Sequence, residues 1–282
     1  MGGQRSLKQA MYLFRLLGNI QSTSQTCPDD VIVSIDLEVS RVERAAMLKD
    51  PYHLPFVNEL GIATLDVRHI FSPSSPKQPH CSRRILTQQH SAHRTSEDFE
   101  DCDVIDFKEC VFAKTKQIQQ ADIVPTVERC LQHPSNELSL TCTEHRHRPV
   151  FLVGHSIQHD LNVLKRLGLD LTHSCRVIGI IDSHSLSRHI LPSGPYTLGA
   201  VLSRLGCPHE AYELHNAGND ATYTLLAVLL LSVKWADQRQ LNEDHTSNRR
   251  LIESFVKLET EAPRWVPVRG ALGAHQQALS IP

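Results

Sequence analysis

The segment PVFLVGHSIQHDLNVLKRLG, residues 149–168, decides the fold class of this chain. Its first half is an apolar run of strand length, and its second half has helical spacing and stops at Gly168. A strand in RVIGIIDSH (176–184), a helix in TLGAVLSRLG (197–206) and a long helix in NDATYTLLAVLLLSVKWADQ (219–238) follow. Strands that alternate with helices in this way predict an α/β protein built on a layered sheet.

The first half of the chain predicts further strands of the same sheet. VIVSIDLEV (31–39) is β-branched and almost entirely apolar, which is typical of a central strand covered on both faces. NELGIATLDVR (58–68) and RRILTQQHS (83–91) predict two more strands, and residues 119–133 predict a helix. Because the early strands are joined by proline-containing loops, we expect hairpins at the start and therefore a mixed sheet.

We divide the chain into three parts. Residues 1–29 hold a predicted amphipathic helix and a polar linker, and residues 30–238 form the α/β domain. Residues 72–118 begin with a proline-rich stretch and contain an acidic run, which are typical of loops. Residues 239–282 form a polar C-terminal extension that we expect to be partly disordered.

Charge and cysteine content limit the classes of function. The net charge of −2 provides no global basic field, so a nucleic-acid site has to be a local patch. The eight cysteines form no CxxC pair, which favours reduced thiols in an intracellular protein, with cytoplasm and nucleus both open. The longest apolar run, residues 225–231, is too short to cross a membrane.

Four carboxylates lie where a hydrophobic core does not explain them. Asp36 and Glu38 are two residues apart on the most apolar strand and so share one of its faces. Asp160 and Asp220 lie in the first turns of two predicted helices. Each acid alone has a simpler interpretation: the strand ends at Ile35 and leaves its acids in solvent, or the helical acids offset the helix dipole.

Taken together, the four carboxylates predict a metal site. In open α/β sheets functional groups gather at the carboxyl ends of strands and at the helix starts that follow them. Carboxylates that converge there repel each other unless hard cations such as Mg²⁺ or Mn²⁺ bind their oxygens. Two such ions about 4 Å apart serve in-line phosphodiester cleavage. His215, five residues ahead of Asp220, is placed to act as general base on an attacking water.

Three motifs resemble those of the DEDDh exonucleases, the DnaQ-like branch of the RNase H-like superfamily. They are SIDLE with Asp36 and Glu38, GHSIQHDLNVL with Asp160, and HNAGNDA with His215 and Asp220. The resemblance covers residues 30–235, and it implies that residues 72–118, which have no counterpart in a minimal domain of this type, are an insert. The sequence around the motifs resembles a fungal subgroup that includes Gfd-type proteins linked to mRNA metabolism and the Argonaute-interacting exonuclease of quelling.

The resemblance implies an RNase H-like mixed five-stranded sheet with helices on both faces, and 3′–5′ hydrolysis of single-stranded RNA or DNA from its end. It implies that Asp36, Glu38 and Asp220 hold one Mg²⁺ or Mn²⁺ ion and that Asp36, helped by Asp160, holds a second. His215 then takes the proton of the attacking water. The main rival hypothesis is a catalytically silent nuclease fold that serves as a protein-interaction module in RNA silencing or mRNA metabolism. A metal-dependent phosphatase of another fold is a third.

Weaker patterns stay open at this stage. Cys130, His133, Cys142 and His145 have ligand types that suit zinc, but the favoured interpretation is a buried cysteine with surface histidines. Residues 145–148, with Lys165 and Arg166, form either a basic margin for a phosphate backbone or, as we prefer, a solvated loop. Asp182 ends a predicted strand. In the superfamily that the chain resembles, an acid at this position often has a structural role, so we do not count Asp182 among the metal ligands.

Overall fold

A computed structural model describes residues 14, 29–71, 84–92, 109–133, 147–173, 176–238, 243–262 and 264. The helix predicted at residues 7–17 lies outside these residues except for Phe14, which is helical, buried and in ring contact with Trp235 at 5.7 Å between centroids. The acidic run of the predicted insert and the chain beyond residue 264 also lie outside them.

The described residues alternate between strands and helices as the sequence indicates. The strands are β1 (Val31–Val39), β2 (Val57–Asp66), β3 (Leu86–Ala92), β4 (Thr115–Ile118), β5 (Val150–Gly154) and β6 (Val177–Asp182). The helices are α1 (Arg41–Lys49), α2 (Arg68–Phe71), α3 (Ile123–Cys130), α4 (Gln158–Arg166), α5 (Ser183–Ile190), α6 (Leu198–Leu205), α7 (Ala217–Gln238) and α8 (Glu243–Glu261).

The strands form one mixed sheet in the order β4-β3-β2-β1-β5-β6. β1, β2 and β3 pair antiparallel, whereas β5 and β6 continue from β1 in parallel, and β4 joins β3 in parallel. The α/β class and the mixed sheet are confirmed. The described sheet has six strands where five were expected, because the short polar segment Thr115–Ile118 adds an edge strand.

Helices cover both faces of the sheet, which is also as predicted. On β1, Val31, Val33 and Ile35 pack into one core with α3 and α4. Ile32 points the other way, into a core formed with α5, α6 and α7. Alternation along a strand therefore places Asp36 and Glu38 on the face that α7 covers. Nearly every position of α7 is buried, so this helix is the central element of its layer.

Four helices are absent from the sequence prediction: α1, α2, α5 and α8, of which α2 has only four residues. The start of α1 carries a detectable signal, because Ser40 Oγ accepts the Glu43 N–H at 3.1 Å and the Ser-x-x-Glu spacing is that of a capping box. α5 directly follows β6, and Asp182 is its N-cap. The strand predicted at residues 176–184 therefore ran past the end of β6 into the first turn of α5. α8 lies within the predicted C-terminal extension and places Ile252, Phe255 and Val256 in the core.

The region predicted as an insert contributes two strands to the sheet, β3 and β4. The glycines predicted to stop two helices lie where expected: Gly168 has φ +97° after α4, and Gly206 has φ +69° at the end of α6. Within the described part of the chain, no helix has the length and apolarity that a bilayer crossing requires.

Arg148 is neither a solvated loop residue nor a phosphate contact. It is 7% exposed, and its guanidinium binds Asp66 Oδ2 and Asp29 Oδ1, each at 2.7 Å. Arg68 binds the same Asp66 carboxylate at 2.6 Å. Burial by itself raises the pKa of Asp66, but the hydrogen bonds from Arg68 and Arg148 outweigh it and hold that pKa below its ordinary 3.8. Arg148 therefore joins the start of β1 to the end of β2.

Candidate active site

The carboxyl end of β1 presents two acids toward α7. Asp36 lies opposite Gly61 of β2 in the ladder, and Glu38 lies opposite Glu59. Asp36 is half-buried, and its Oδ2 atom is inaccessible to solvent and has no hydrogen-bond partner among the described residues. A buried carboxylate oxygen in that condition is costly unless a cation meets it.

Gly61 lets the start of α7 come down onto the sheet beside Asp36. A Cβ atom at Gly61 would lie 1.9 Å from the carbonyl oxygen of Ala217 and 2.5 Å from the Gly218 nitrogen. Real Cβ contacts are not this short, so any side chain at this position displaces the helix start. The close approach of helix to strand therefore depends on the absence of a side chain at Gly61.

The turn before α7 fixes His215 and Asp220 relative to each other. His215 has φ +63°, in the left-handed region, and its N–H donates to Asp220 Oδ2 at 3.0 Å. The side chain of Asn216 accepts the Asn219 N–H at 3.1 Å, which caps the helix. The helix cap thus lies on Asn216, while Asp220 also restrains the backbone of His215, whose side chain is exposed.

Glu59 is a fifth carboxylate of this region that the sequence analysis missed. It is 5% exposed, and its Oε2 atom accepts hydrogen bonds from Ala217 N at 3.0 Å, Asn216 Nδ2 at 3.2 Å and Gln89 Nε2 at 2.9 Å. Burial raises the pKa of Glu59, and the hydrogen bonds from Ala217 and Gln89 oppose that rise. The sequence feature that could have identified Glu59 is its position as an acid within the apolar strand pattern NELGIA, residues 58–63.

Glu213 supports the same turn from the other side. Its carboxylate is buried and binds both the Tyr223 hydroxyl and the Arg264 guanidinium, and its backbone carbonyl accepts Asn219 Nδ2 at 2.8 Å. Arg264 comes from the C-terminal side of α8. The loop that carries His215 is therefore held through β2, β3 and the C-terminal segment.

The structure gathers the predicted residues into one cleft, in two groups. Glu38, His215 and Asp220 each offer a donor atom, and these atoms all lie within 4.8 Å of one another. Asp36 is not a member of that group but is close enough for its charge to interact with those of Asp160 and Asp220. Asp160 lies further back and is 4% exposed; its Oδ1 accepts the Leu37 N–H at 2.9 Å, between the two acids of β1.

Electrostatics in the cleft show an excess of negative charge. Burial raises the pKa of Asp36 well above 3.8, and the charges of Asp160, Asp220 and Glu38 raise it further. Burial also raises the pKa of Asp160 to about 7, with a contribution from Glu38, although the Leu37 N–H favours its ionised form. Acids placed together at this cost are the expected preparation for a bound cation.

The donors present fit hard divalent cations. Asp36, Glu38 and Asp220 offer carboxylate oxygens, which Mg²⁺ and Mn²⁺ prefer, and the buried Oδ2 of Asp36 has no competing hydrogen bond among the described residues. Asp160 is engaged with the β1 backbone, so it supports the strand that bears the ligands. The single imidazole in the group belongs to His215, which is exposed.

Asp182 lies apart from the ligand group. Its Oδ1 accepts the N–H groups of Ser156 at 2.8 Å and His184 at 3.1 Å, so it caps α5 and anchors the loop ahead of α4.

The zinc hypothesis concerned two cysteines and two histidines. Of these, Cys130 is buried and its Sγ accepts a hydrogen bond from Gln88 Nε2 at 3.2 Å, while Cys142 and His145 lie outside the described residues.

The strand order, the mixed sheet and the helices on both faces define an RNase H-like α/β fold, of the DnaQ type. A family model described as "DNA polymerase III subunit epsilon-like, C-terminal domain" matches residues 31–231, a span that contains all five predicted site residues. The chain therefore belongs to this DEDDh family.

A relative occurs in yeast. The chain is 30% identical over 148 residues to the Saccharomyces cerevisiae protein YDR514C, which is described as uncharacterized. The match covers 46% of this chain and 30% of the yeast protein, so most of the yeast protein has no counterpart in the matched part.

Proposed function

We propose that the protein is a metal-dependent 3′–5′ exonuclease that removes nucleotides from the end of single-stranded RNA or DNA. The observation that carries the proposal is the convergence of Glu38, His215 and Asp220 within 4.8 Å beside the buried Oδ2 atom of Asp36. Membership of the DEDDh family supports the reaction class, and the similarity to a yeast protein supports the fungal subgroup.

We assign the roles from position and chemistry. Asp36, Glu38 and Asp220 hold two Mg²⁺ or Mn²⁺ ions, and Asp160 fixes the β1 backbone between the first two ligands. When bound, two such ions stabilise the charge on the attacking and leaving oxygens of the phosphodiester. His215 is exposed, its donor atom lies within 4.8 Å of those of Glu38 and Asp220, and it takes the proton of the attacking water. Its restrained backbone keeps the imidazole near Asp220.

The test uses 5′-labelled RNA and DNA oligonucleotides with Mg²⁺ or Mn²⁺, so that removal of 3′ nucleotides gives a ladder. We expect hydrolysis by the wild type, and a loss of at least about 100-fold in Asp36→Asn and in His215→Ala. Asp237→Asn and His189→Ala are matched controls, since both residues are exposed on helices outside the cleft.

The outcomes discriminate between the two hypotheses. If both site variants lose activity while their thermal unfolding matches the controls, the exonuclease proposal stands. If the wild type leaves RNA and DNA intact across metals and pH, the interaction-module hypothesis replaces it.

An intracellular location and a protein partner in RNA metabolism are further proposals. The buried free thiols of Cys130 and Cys207 support the intracellular location.

A further inference from the structure

A cavity of about 740 Å³ lies between α1 and α4. Its lining includes Arg44, Met47 and Leu48 from α1 and His159, Lys165 and Arg166 from α4. None of the lining residues is acidic. In a chain with a net charge of −2, a cavity lined by two arginines, a lysine and a histidine is a local basic site.

The cavity adjoins the proposed active site through two residues. Arg44 lines the cavity, and its Nη2 atom lies 3.4 Å from Glu38 Oε2. His159 lines the cavity and directly precedes Asp160 in α4. A molecule that occupies the cavity is therefore close to Glu38 and Asp160.

The basic groups of the cavity differ in their freedom to bind. The Arg166 guanidinium donates to the carbonyls of Met47 and Asp50, each at 2.8 Å, so it is fixed and holds α1 against α4. The side chains of Lys165 and Arg44 are 66% and 49% exposed, and each has a surface ion pair. Such pairs are weak and exchange readily for a phosphate.

The apolar and neutral groups complete a nucleotide-like environment. Leu48 lines the cavity and is 89% exposed, so its apolar side chain is open there, whereas the neighbouring Met47 is buried. The His159 Nε2 atom is inaccessible to solvent and has no hydrogen-bond partner among the described residues. Cations for phosphate and an exposed apolar side chain for a base are features of a nucleotide site, whereas the His159 Nε2 atom is not open to a ligand.

We propose that the α1–α4 cavity binds the nucleotides of the substrate strand that precede the one being cleaved. This inference rests on the proposed exonuclease function, because the strand in the cavity is taken to be the substrate of the acids that Arg44 adjoins. Lys165 and Arg44 contact phosphates, and the exposed side chain of Leu48 contacts a base. The occupant is a nucleic-acid strand in preference to an acidic peptide, since the adjoining cleft belongs to a family of exonucleases.

The test compares Lys165→Glu with Lys257→Glu. Lys257 lies on α8, is 71% exposed and pairs with an acid as Lys165 does, but it is not among the cavity's lining residues. Hydrolysis of a dinucleotide and a decanucleotide is measured with Mn²⁺, and binding of a labelled decanucleotide is measured by fluorescence anisotropy with Ca²⁺. Lys165→Glu should raise KM and Kd for the decanucleotide about tenfold and lower the salt dependence of binding by about one phosphate.

Further outcomes separate this inference from the exonuclease proposal. Lys165→Arg should bind like the wild type, and the KM of Lys165→Glu should rise more for the decanucleotide than for the dinucleotide. If the wild type hydrolyses both substrates but Lys165→Glu matches Lys257→Glu, the cavity inference is wrong and the exonuclease proposal stands. If the wild type binds the decanucleotide without hydrolysing either substrate and Lys165→Glu weakens that binding, the cavity binds nucleic acid and the exonuclease proposal is wrong. The inference would also be overturned if a poly-glutamate peptide bound more tightly than the decanucleotide and if that binding depended on Lys165.

Discussion

Gly61→Ala is the substitution that most directly tests how the sheet positions the helix start. The added Cβ atom would lie 1.9 Å from the Ala217 carbonyl oxygen, whereas ordinary contacts begin at 3.4 Å. Because both groups belong to the backbone, α7 and β2 have to separate by about 1.5 Å. That movement stretches the hydrogen bond from Ala217 N to Glu59 and shifts the turn that carries His215 and Asp220 away from Asp36.

The expected magnitudes follow from the size of this displacement. Overpacking of a core costs about 1–3 kcal/mol, and the rigidity of two backbone segments favours the upper end. For a domain of this size about 3 kcal/mol lowers the melting temperature by roughly 6–12 °C. A misplacement of about 1 Å in a catalytic group costs about 100-fold in rate, so we expect at least that loss in kcat.

Gly206→Ala is the matched control, assayed by thermal unfolding and 3′–5′ hydrolysis well below both melting temperatures. Gly206 has φ +69°, and its added Cβ meets nothing within 4 Å. Its cost is therefore backbone strain alone, about 1 kcal/mol, with normal hydrolysis. If Gly61→Ala melts and hydrolyses like the wild type, the close approach of α7 to β2 is refuted. Should the wild type prove inactive, the melting temperatures alone decide the packing argument.

The remaining predictions concern two buried carboxylates. Glu59→Gln should lower the free energy of unfolding by about 2 kcal/mol in urea titrations, because a neutral amide oxygen has two lone pairs and no charge for the three donors that converge on Glu59 Oε2; an unchanged urea midpoint would contradict this. Asp66 has a lowered pKa in the folded state, so its contribution to stability is present above about pH 4 and is lost as the pH falls below that value. Arg148→Met should cost about 3 kcal/mol near neutral pH and reduce this loss below pH 4; an identical acid dependence in wild type and variant, followed by circular dichroism, would count against the network.

Much of the site was predictable because its residues interrupt local patterns. Asp36 and Glu38 break an apolar strand, and Asp160 and Asp220 follow predicted helix starts, so hydrophobic periodicity placed all four near strand and helix ends. Their common face on β1 follows from strand alternation alone. Catalytic and ligand roles for these residues stay predictions until the hydrolysis assay is done.

Other features depend on contacts between distant parts of the chain. Thr115–Ile118 is short and polar, so its strand character arises only from pairing with β3. Arg148 looks like part of a basic loop in the sequence, yet Asp66, 82 residues away, draws it into the core. Glu59 gained its role only where β2 meets the start of α7, 158 residues later.

The sequence by itself determined the α/β class, the order of most strands and helices, and the candidate acids, because these depend on residue periodicity and on single positions. The tertiary structure alone decided how the acids are held. The left-handed turn at His215, the close approach at Gly61 and the backbone hydrogen bond from Leu37 to Asp160 all join separate segments. Such contacts form only when the helices pack on the sheet, and no local pattern of residues encodes their distances.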